Sequence, residues 1–151
     1  MWASGQSSQF LSIFVDFRSF VPILVHIPER RYPLPRTVRF FRTETGSEPV
    51  RDWIKEHSKD EMKLIGEDIR TVQFSEQWKA PLVKYLGNGL YEIRTNLFYT
   101  TSRVFFFVEG GEMILVHGLS KKTQKTPKAD LALALKRKAE YEKAAKSPPR
   151  H

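Results

Sequence analysis

Residues 83–127 read VKYLGNGLYEIRTNLFYTTSRVFFFVEGGEMILVHGLSKKTQKTP, and the fold of the chain depends on this stretch. The Asn88-Gly89 dipeptide predicts a hairpin, because a type I′ turn needs positive φ at both central positions. Gly110-Gly111 offers the same backbone freedom for a second hairpin. Between and after the turns, residues 91–95 and 103–108 are rich in β-branched and aromatic side chains, which favour strands. The stretch therefore predicts consecutive antiparallel strands that lead into a lysine-rich segment.

The chain before this stretch is predicted to form one strand and then two helices. Residues 37–43 have the composition of a strand. In the first helix, Val50, Trp53 and Ile54 lie at i, i+3 and i+4, and Ser47 is the expected N-cap. This spacing predicts a short amphipathic helix that packs on the sheet.

Capping signals mark the other two helices. Ser58 and Glu61 form an S-x-x-E capping box at the start of the second helix. Thr126 and Pro127 are interpreted as a cap followed by proline at the first helical position. The C-terminal helix that they start is predicted to end near Ala145.

The order of these elements predicts an α+β fold, with two N-terminal helices packed on an antiparallel sheet of about four to five strands and with a C-terminal basic helix. We expect the helices to gather on one face of the sheet and the other face to stay open as a positively charged groove. The predicted domain spans 38–145, between a poorly specified extension at 1–37 and a basic tail at 146–151. Residues 10–28 are apolar, but charged residues and proline interrupt them. Neither a signal peptide nor a membrane-spanning helix fits this pattern, and no membrane partner is expected.

The charge of the chain favours a polyanionic partner. The net charge is +8, and from residue 121 onward ten basic residues stand against three acidic ones, a difference of +7. An ordinary solvated helix face is the alternative interpretation of the C-terminal part. The chain has no cysteine, which excludes disulfides and thiolate metal sites and is compatible with a cytoplasmic location.

Two arginines lie inside the predicted strands. If residues 96–101 connect two strands symmetrically, Arg94 lies directly opposite Arg103. Like charges that face each other across a sheet are unfavourable, and an anion between them would remove that cost. A phosphate suits paired guanidinium groups. The alternative is that each arginine pairs with a carboxylate such as Glu92, or extends to water.

Lysines supply further candidate anion ligands. Lys121, Lys122 and Lys125, here called the lysine cluster, precede the C-terminal helix, whose N-terminus already favours an anion. An ordinary charged loop is the alternative. Lys84 is a weaker candidate, because lone surface lysines are common.

His117 is the histidine of the predicted strands, and its near-neutral imidazole suits proton transfer. A two-residue turn at Gly110-Gly111 pairs His117 with Val104, on the face opposite Arg103. A bulge in either strand would reverse this placement. Roles in the core and in the site therefore both stay open for His117.

Several catalytic motifs are absent from the sequence. It contains no GxxxxGK[ST] phosphate loop, no HExxH, no GxSxG and no spaced set of carboxylates for two metals. Chemistry by arginine, lysine and histidine remains, and neither a metal nor a cofactor is expected.

Residues 89–94 (GLYEIR), 103–106 (RVFF) and 117–127 (HGLSKKTQKTP) together resemble the HigB-type branch of the RelE/ParE toxin superfamily, often described as phage-derived toxin-like proteins. The KKTQKTP run before a basic helix is the most specific feature, and the GLYEIR strand is the next. The resemblance covers about 38–145 and leaves out the extension at 1–37.

The resemblance implies a bacterial type II toxin with a small microbial-RNase α+β fold. Such a toxin cleaves mRNA on the ribosome by metal-free attack of the 2′-OH on the phosphate, and a cognate helix-turn-helix antitoxin neutralises it. By position, Arg94 and Arg103 would stabilise the phosphorane, while Lys122 or His117 would transfer protons. The residues that bind the RNA backbone would be Lys84, Lys121 and Lys125. Alternatives are a non-enzymatic RNA-binding module and a ParE-like toxin that acts on DNA gyrase.

Overall fold

A computed structural model of the chain describes residues 33–122 and 125–147. In chain order, its elements are β1 (Thr37–Phe40), α1 (Pro49–Lys55), α2 (Lys59–Phe74), β2 (Val83–Gly87), β3 (Leu90–Asn96), β4 (Thr101–Glu109), β5 (Glu112–Lys121) and α3 (Lys128–Lys146). The predicted α+β class is confirmed, and the described residues form three helices and one five-stranded sheet. Most of the predicted extension and the end of the basic tail lie outside the described residues.

The sheet has the strand order β1-β5-β4-β3-β2, and strands β2 to β5 form the predicted antiparallel meander. The prediction of a fully antiparallel sheet is wrong at one edge, where β1 runs parallel to β5 and Thr37 pairs with Glu112. Side-chain alternation along a strand does not specify the direction of its neighbour. The two helices after β1 carry the chain to β2 at the opposite edge, and this long connection allows the parallel pairing. The sheet is therefore mixed.

Both predicted hairpin turns are present. Asn88 and Gly89 have positive φ angles of 54° and 75°, as a type I′ turn requires. Gly110 and Gly111 have φ angles of 59° and 79°. The turns connect β2 to β3 and β4 to β5 and so hold the meander in register.

One face of the sheet packs against α1 and α2. The indole of Trp78 is 1% exposed and packs edge-on against the rings of Tyr91 and Phe106. Trp53 of α1 contacts Gly118 of β5, where an added Cβ would lie 2.3 Å from the indole Cε3. The close approach of α1 to the sheet therefore depends on a glycine at position 118.

The other face is covered by α3, so the prediction of an open sheet face is wrong. Ala134 of α3 is fully buried, with Leu131 and Leu135 packed beside it. The strand residues in this second core include Phe105, Phe107, Ile114 and Val116. Because side chains alternate along a strand, the consecutive aromatic residues 105–107 place rings on both faces, and both faces must then be buried.

One of the predicted helix caps is confirmed and two are wrong. The hydroxyl of Ser58 accepts a hydrogen bond of 3.2 Å from the backbone N–H of Glu61. Ser47 does not cap α1, because the helix has Glu48 at its N-cap position. Thr126 does not cap α3, since its hydroxyl is bound to a carboxylate of the sheet.

Candidate functional site

A buried carboxylate lies between the two strand arginines. Arg94 pairs directly with Arg103 across β3 and β4, as the symmetric-loop register predicts. Glu92, which is fully buried, accepts a hydrogen bond of 2.5 Å from Arg94 Nε and lies 3.6 Å from Arg103 Nη1. At the sequence level, the alternatives to a bound anion are pairing with Glu92 and extension into water. The structure shows pairing with Glu92.

Thr126 joins this buried group to the segment that follows the lysine cluster. Its hydroxyl donates a hydrogen bond of 2.7 Å to Glu92 Oε2 and accepts one of 3.1 Å from Arg103 Nη1. Buried charges are stable only when they are paired and hydrogen-bonded, and this arrangement supplies both conditions for the carboxylate. The chain at the start of α3 is thereby fixed against the sheet.

The two arginines differ in their access to solvent. The side chain of Arg103 is 1% exposed, whereas that of Arg94 is 19% exposed. A ligand in solvent can therefore reach Arg94 in this structure. Arg103 holds the buried carboxylate and the Thr126 hydroxyl.

His117 lies on the same face of the sheet as Arg103. The pairs from the Gly110-Gly111 turn follow the predicted register as far as Phe106, and an extra residue, Val116, then shifts it. His117 consequently pairs with Phe105, and its ring lies 5.6 Å from that ring, measured between centroids. The pairing of His117 with Val104 that a regular hairpin predicts is wrong, because the bulge reverses the parity of the strand.

Both ring nitrogens of His117 contact α3. Nε2 lies 2.7 Å from Asp130 Oδ1, and Nδ1 lies 3.2 Å from Arg137 Nη1. A guanidinium group can only donate, so Nδ1 is the acceptor and Nε2–H donates to the carboxylate, which is the arrangement of a neutral imidazole. Arg137 also donates to the carbonyl of Val116 in the bulge, at 2.8 Å. Burial lowers the pKa of the Arg137 guanidinium.

A second histidine ties α1 to the end of β5. Nδ1 of His57 lies 3.0 Å from the carbonyl oxygen of Trp53, so this nitrogen carries the proton. Nε2 lies 3.1 Å from Ser120 Oγ, directly before the lysine cluster. This contact helps to fix the strand end from which the cluster begins.

The lysines predicted for the site are all exposed. Lys84 pairs with Glu92 across β2 and β3, and Lys121 pairs with Thr101 across β4 and β5. Lys122 and Lys125 are exposed on either side of residues 123–124, which lie outside the described residues. By register, one face of the sheet carries five of the seven predicted site residues. These are Lys84, Arg94, Arg103, His117 and Lys121.

Three residues C-terminal to the strands hydrogen-bond the site residues, and the sequence does not predict these contacts. The sequence predicts Thr126 only as a helix cap and indicates no role in the site for Asp130 or Arg137. The last two are seven residues apart, which places them on one side of a helix, and this spacing is the signal that could have indicated a shared partner. Nothing in the local sequence indicates that this partner is His117.

The described part of the chain contains no group of three or more His, Cys, Asp or Glu side chains that could hold a metal ion. Among the helices of residues 33–122 and 125–147, none is long and apolar enough to cross a membrane.

An α+β domain with arginines on its central strands and lysines at one sheet end is consistent with a toxin fold. Residues 52–139, more than half of the chain, match the family described as phage-derived protein Gp49-like (DUF891). The chain belongs to this family, which is part of the RelE/ParE-like toxin superfamily. No curated protein matches the chain.

Proposed function

We propose that this protein is the toxin of a type II toxin–antitoxin system, in the HigB-type branch, and that it cleaves mRNA on the ribosome. Membership of a RelE/ParE-like family supports a toxin. The observation that carries the nuclease proposal is the placement of Arg94, which is partly exposed, bound to buried Glu92 and opposite Arg103. A guanidinium held in this way is positioned before substrate binds, which is what stabilisation of developing charge requires.

In the proposed reaction the ribose 2′-OH loses its proton and attacks the adjacent phosphate. The bond from phosphorus to the 5′-oxygen of the next nucleotide then breaks, which leaves a 2′,3′-cyclic phosphate and a 5′-OH that takes up a proton, and no metal takes part. Arg94 stabilises the negative charge of the phosphorane, and the buried charge of Arg103 supports it from the neighbouring strand. Lys122 or His117 transfers the protons. For His117 to do so, its contacts with Asp130 and Arg137 must rearrange, since both ring nitrogens are engaged in this structure. The residues proposed to bind the RNA backbone are Lys84, Lys121 and Lys125.

The family also suggests an antitoxin partner. We propose a small helix-turn-helix protein that either covers the cationic face with an acidic segment or blocks entry into the ribosome. The positive charge from residue 121 onward would speed this association, and the effect would weaken as ionic strength rises.

Controlled expression in a bacterium, followed by primer extension on cellular mRNA, tests the proposed function. Cuts linked to codon position are expected. Intact mRNA together with DNA damage would instead indicate a ParE-like toxin that acts on gyrase. Intact mRNA and intact DNA, with RNA still bound by the purified protein, would indicate a non-enzymatic RNA-binding module.

A further inference from the structure

The turn between β3 and β4 exposes two neighbouring aromatic side chains. Phe98 is 68% exposed and Tyr99 is 87% exposed, the highest values among the large hydrophobic residues that the structure describes. The turn itself is ordered by a hydrogen bond of 2.8 Å from Leu97 N to Thr100 O. Leu97 packs against the core. The two rings are therefore held in water by a fixed turn, although their exposure is unfavourable by itself.

The same turn borders an open cleft of about 420 Å³ that also contains Arg94. Asn96 and Thr101, which flank the turn and pair with each other, line the cleft. Leu82 contributes to an apolar part of its wall, and Asp68 of α2 is one of the two carboxylates there. The cleft thus combines apolar surface, hydrogen-bonding groups and a guanidinium beside two exposed rings.

We infer that Phe98 and Tyr99 stack on unpaired bases of an RNA strand whose phosphate contacts Arg94. This inference rests on the proposed function and adds the way in which the substrate is held. Phe98 lies four positions after Arg94, two of them beyond the end of β3, so the two Cα atoms are at most about 14 Å apart, which is within reach of a short single strand. Aromatic rings beside a cation are the usual composition of a surface that binds single-stranded nucleic acid.

Charge favours RNA over a protein partner at this turn. The fully buried centre of a protein–protein interface is depleted in lysine, glutamate and aspartate, whereas arginine and aromatic residues are common there. The lysine beside this turn is Lys121, which pairs with Thr101, the residue that follows the turn. Glu67 and Asp68 line the adjoining cleft, where carboxylates can accept hydrogen bonds from the amino groups of bases.

The test compares binding of two probes to the purified full chain at low ionic strength. One probe is a short oligoadenylate, and the other is an oligomer of the same length without bases. The variant carries Phe98→Ala and Tyr99→Ala. Phe74→Ala is the matched control, because Phe74 is also an exposed aromatic residue but lies at the end of α2, stacked with Arg70 at 4.8 Å.

The double variant should bind oligoadenylate about tenfold or more weakly than wild type, because stacking on two rings is lost. It should bind the probe without bases as wild type does, and the slope of affinity against salt should not change, since no phosphate contact is removed. The control should match wild type with both probes.

Equal binding of oligoadenylate by wild type and by the folded double variant would overturn the inference and leave the turn as a surface for a protein partner. A loss of the same size with both probes would also overturn it, because the effect would then not depend on bases. Failure of wild type to bind either probe would be a failure of the proposed RNA substrate itself, and the two results are therefore distinguishable.

Discussion

Glu92→Gln should destabilise the fold strongly, although it only replaces one carboxylate oxygen with an amide NH₂ group. Glu92 is fully buried and contacts Arg94, Arg103 and Thr126 through its two oxygens. Glutamine keeps the shape of the side chain but removes the negative charge. The buried guanidinium of Arg103 then loses its carboxylate partner while it remains out of water.

Removing one partner of a buried ion pair costs about 3–5 kcal/mol, and we expect the lower end of this range because glutamine still offers an acceptor. A loss of about 3 kcal/mol in a domain of this size lowers the melting temperature by roughly 10 °C. Denaturant unfolding followed by circular dichroism measures the free energy, and a thermal scan measures the temperature. Glu142→Gln is the control, because its i,i+4 pair with Lys138 is partly exposed and contributes at most about 0.5 kcal/mol.

A second variant separates charge from packing. Glu92→Gln combined with Arg103→Met removes both buried charges and should be less destabilised than the sum of the two single substitutions. If Glu92→Gln unfolds at the same denaturant concentration as Glu142→Gln, the buried carboxylate does not hold this part of the fold, and the reasoning is refuted.

Three other outcomes follow from the structure. Gly118→Ala should lower the free energy of unfolding by about 1–3 kcal/mol, because the added methyl group would overpack against Trp53. Gly66→Ala on α2 should raise it by about 0.4–1 kcal/mol, because its added Cβ meets nothing within 4 Å. Denaturant curves that rank the two variants the other way would contradict this packing. Burial raises the pKa of the Tyr91 hydroxyl far above its ordinary 10.0. The unfolded chain therefore loses this proton at lower pH than the folded chain does, and the stability that the neutral hydroxyl contributes is complete below about pH 10 and falls at higher pH. Tyr91→Phe should therefore lose less stability than wild type between about pH 9 and about pH 11, and parallel losses would be evidence against this. Replacing the lysine cluster with alanine should flatten the salt dependence of RNA binding by up to about 2 in log–log slope with little change in melting temperature, and an unchanged slope would place the RNA surface elsewhere.

The local features of the fold were predictable because they depend on residues close in the sequence. Asn88-Gly89 and Gly110-Gly111 specify the two turns through their backbone freedom, and the loop at 96–101 places Arg94 opposite Arg103. The direction of β1 was not predictable, since its pairing with β5 depends on a partner far along the chain. The sequence analysis did not predict that α3 covers the second face of the sheet. The aromatic residues 105–107 nevertheless indicate a strand that is buried on both faces.

The candidate site shows the same division. Which residues share a face followed from strand register, except at Val116, where one extra residue moved His117 to the other face. A bulge of this kind leaves no clear signature in the sequence, because its carbonyl is satisfied by Arg137 of a distant helix. The partners of the buried charges also lie far apart in the sequence, since Thr126 donates its hydrogen bond to Glu92, which is 34 residues earlier.

The most direct test of the proposed nuclease is the rate at which Arg94→Ala cleaves mRNA on translating ribosomes, measured by primer extension in single-turnover reactions. Loss of one charge-stabilising donor is expected to slow cleavage about 100- to 1000-fold, while Glu92 keeps its contacts with Arg103 and Thr126 and the protein stays folded. Arg70→Ala, an exposed arginine on α2, should cleave as wild type does. A folded Arg94→Ala protein that cuts mRNA at the wild-type rate would contradict the role proposed for this arginine and the site built around it.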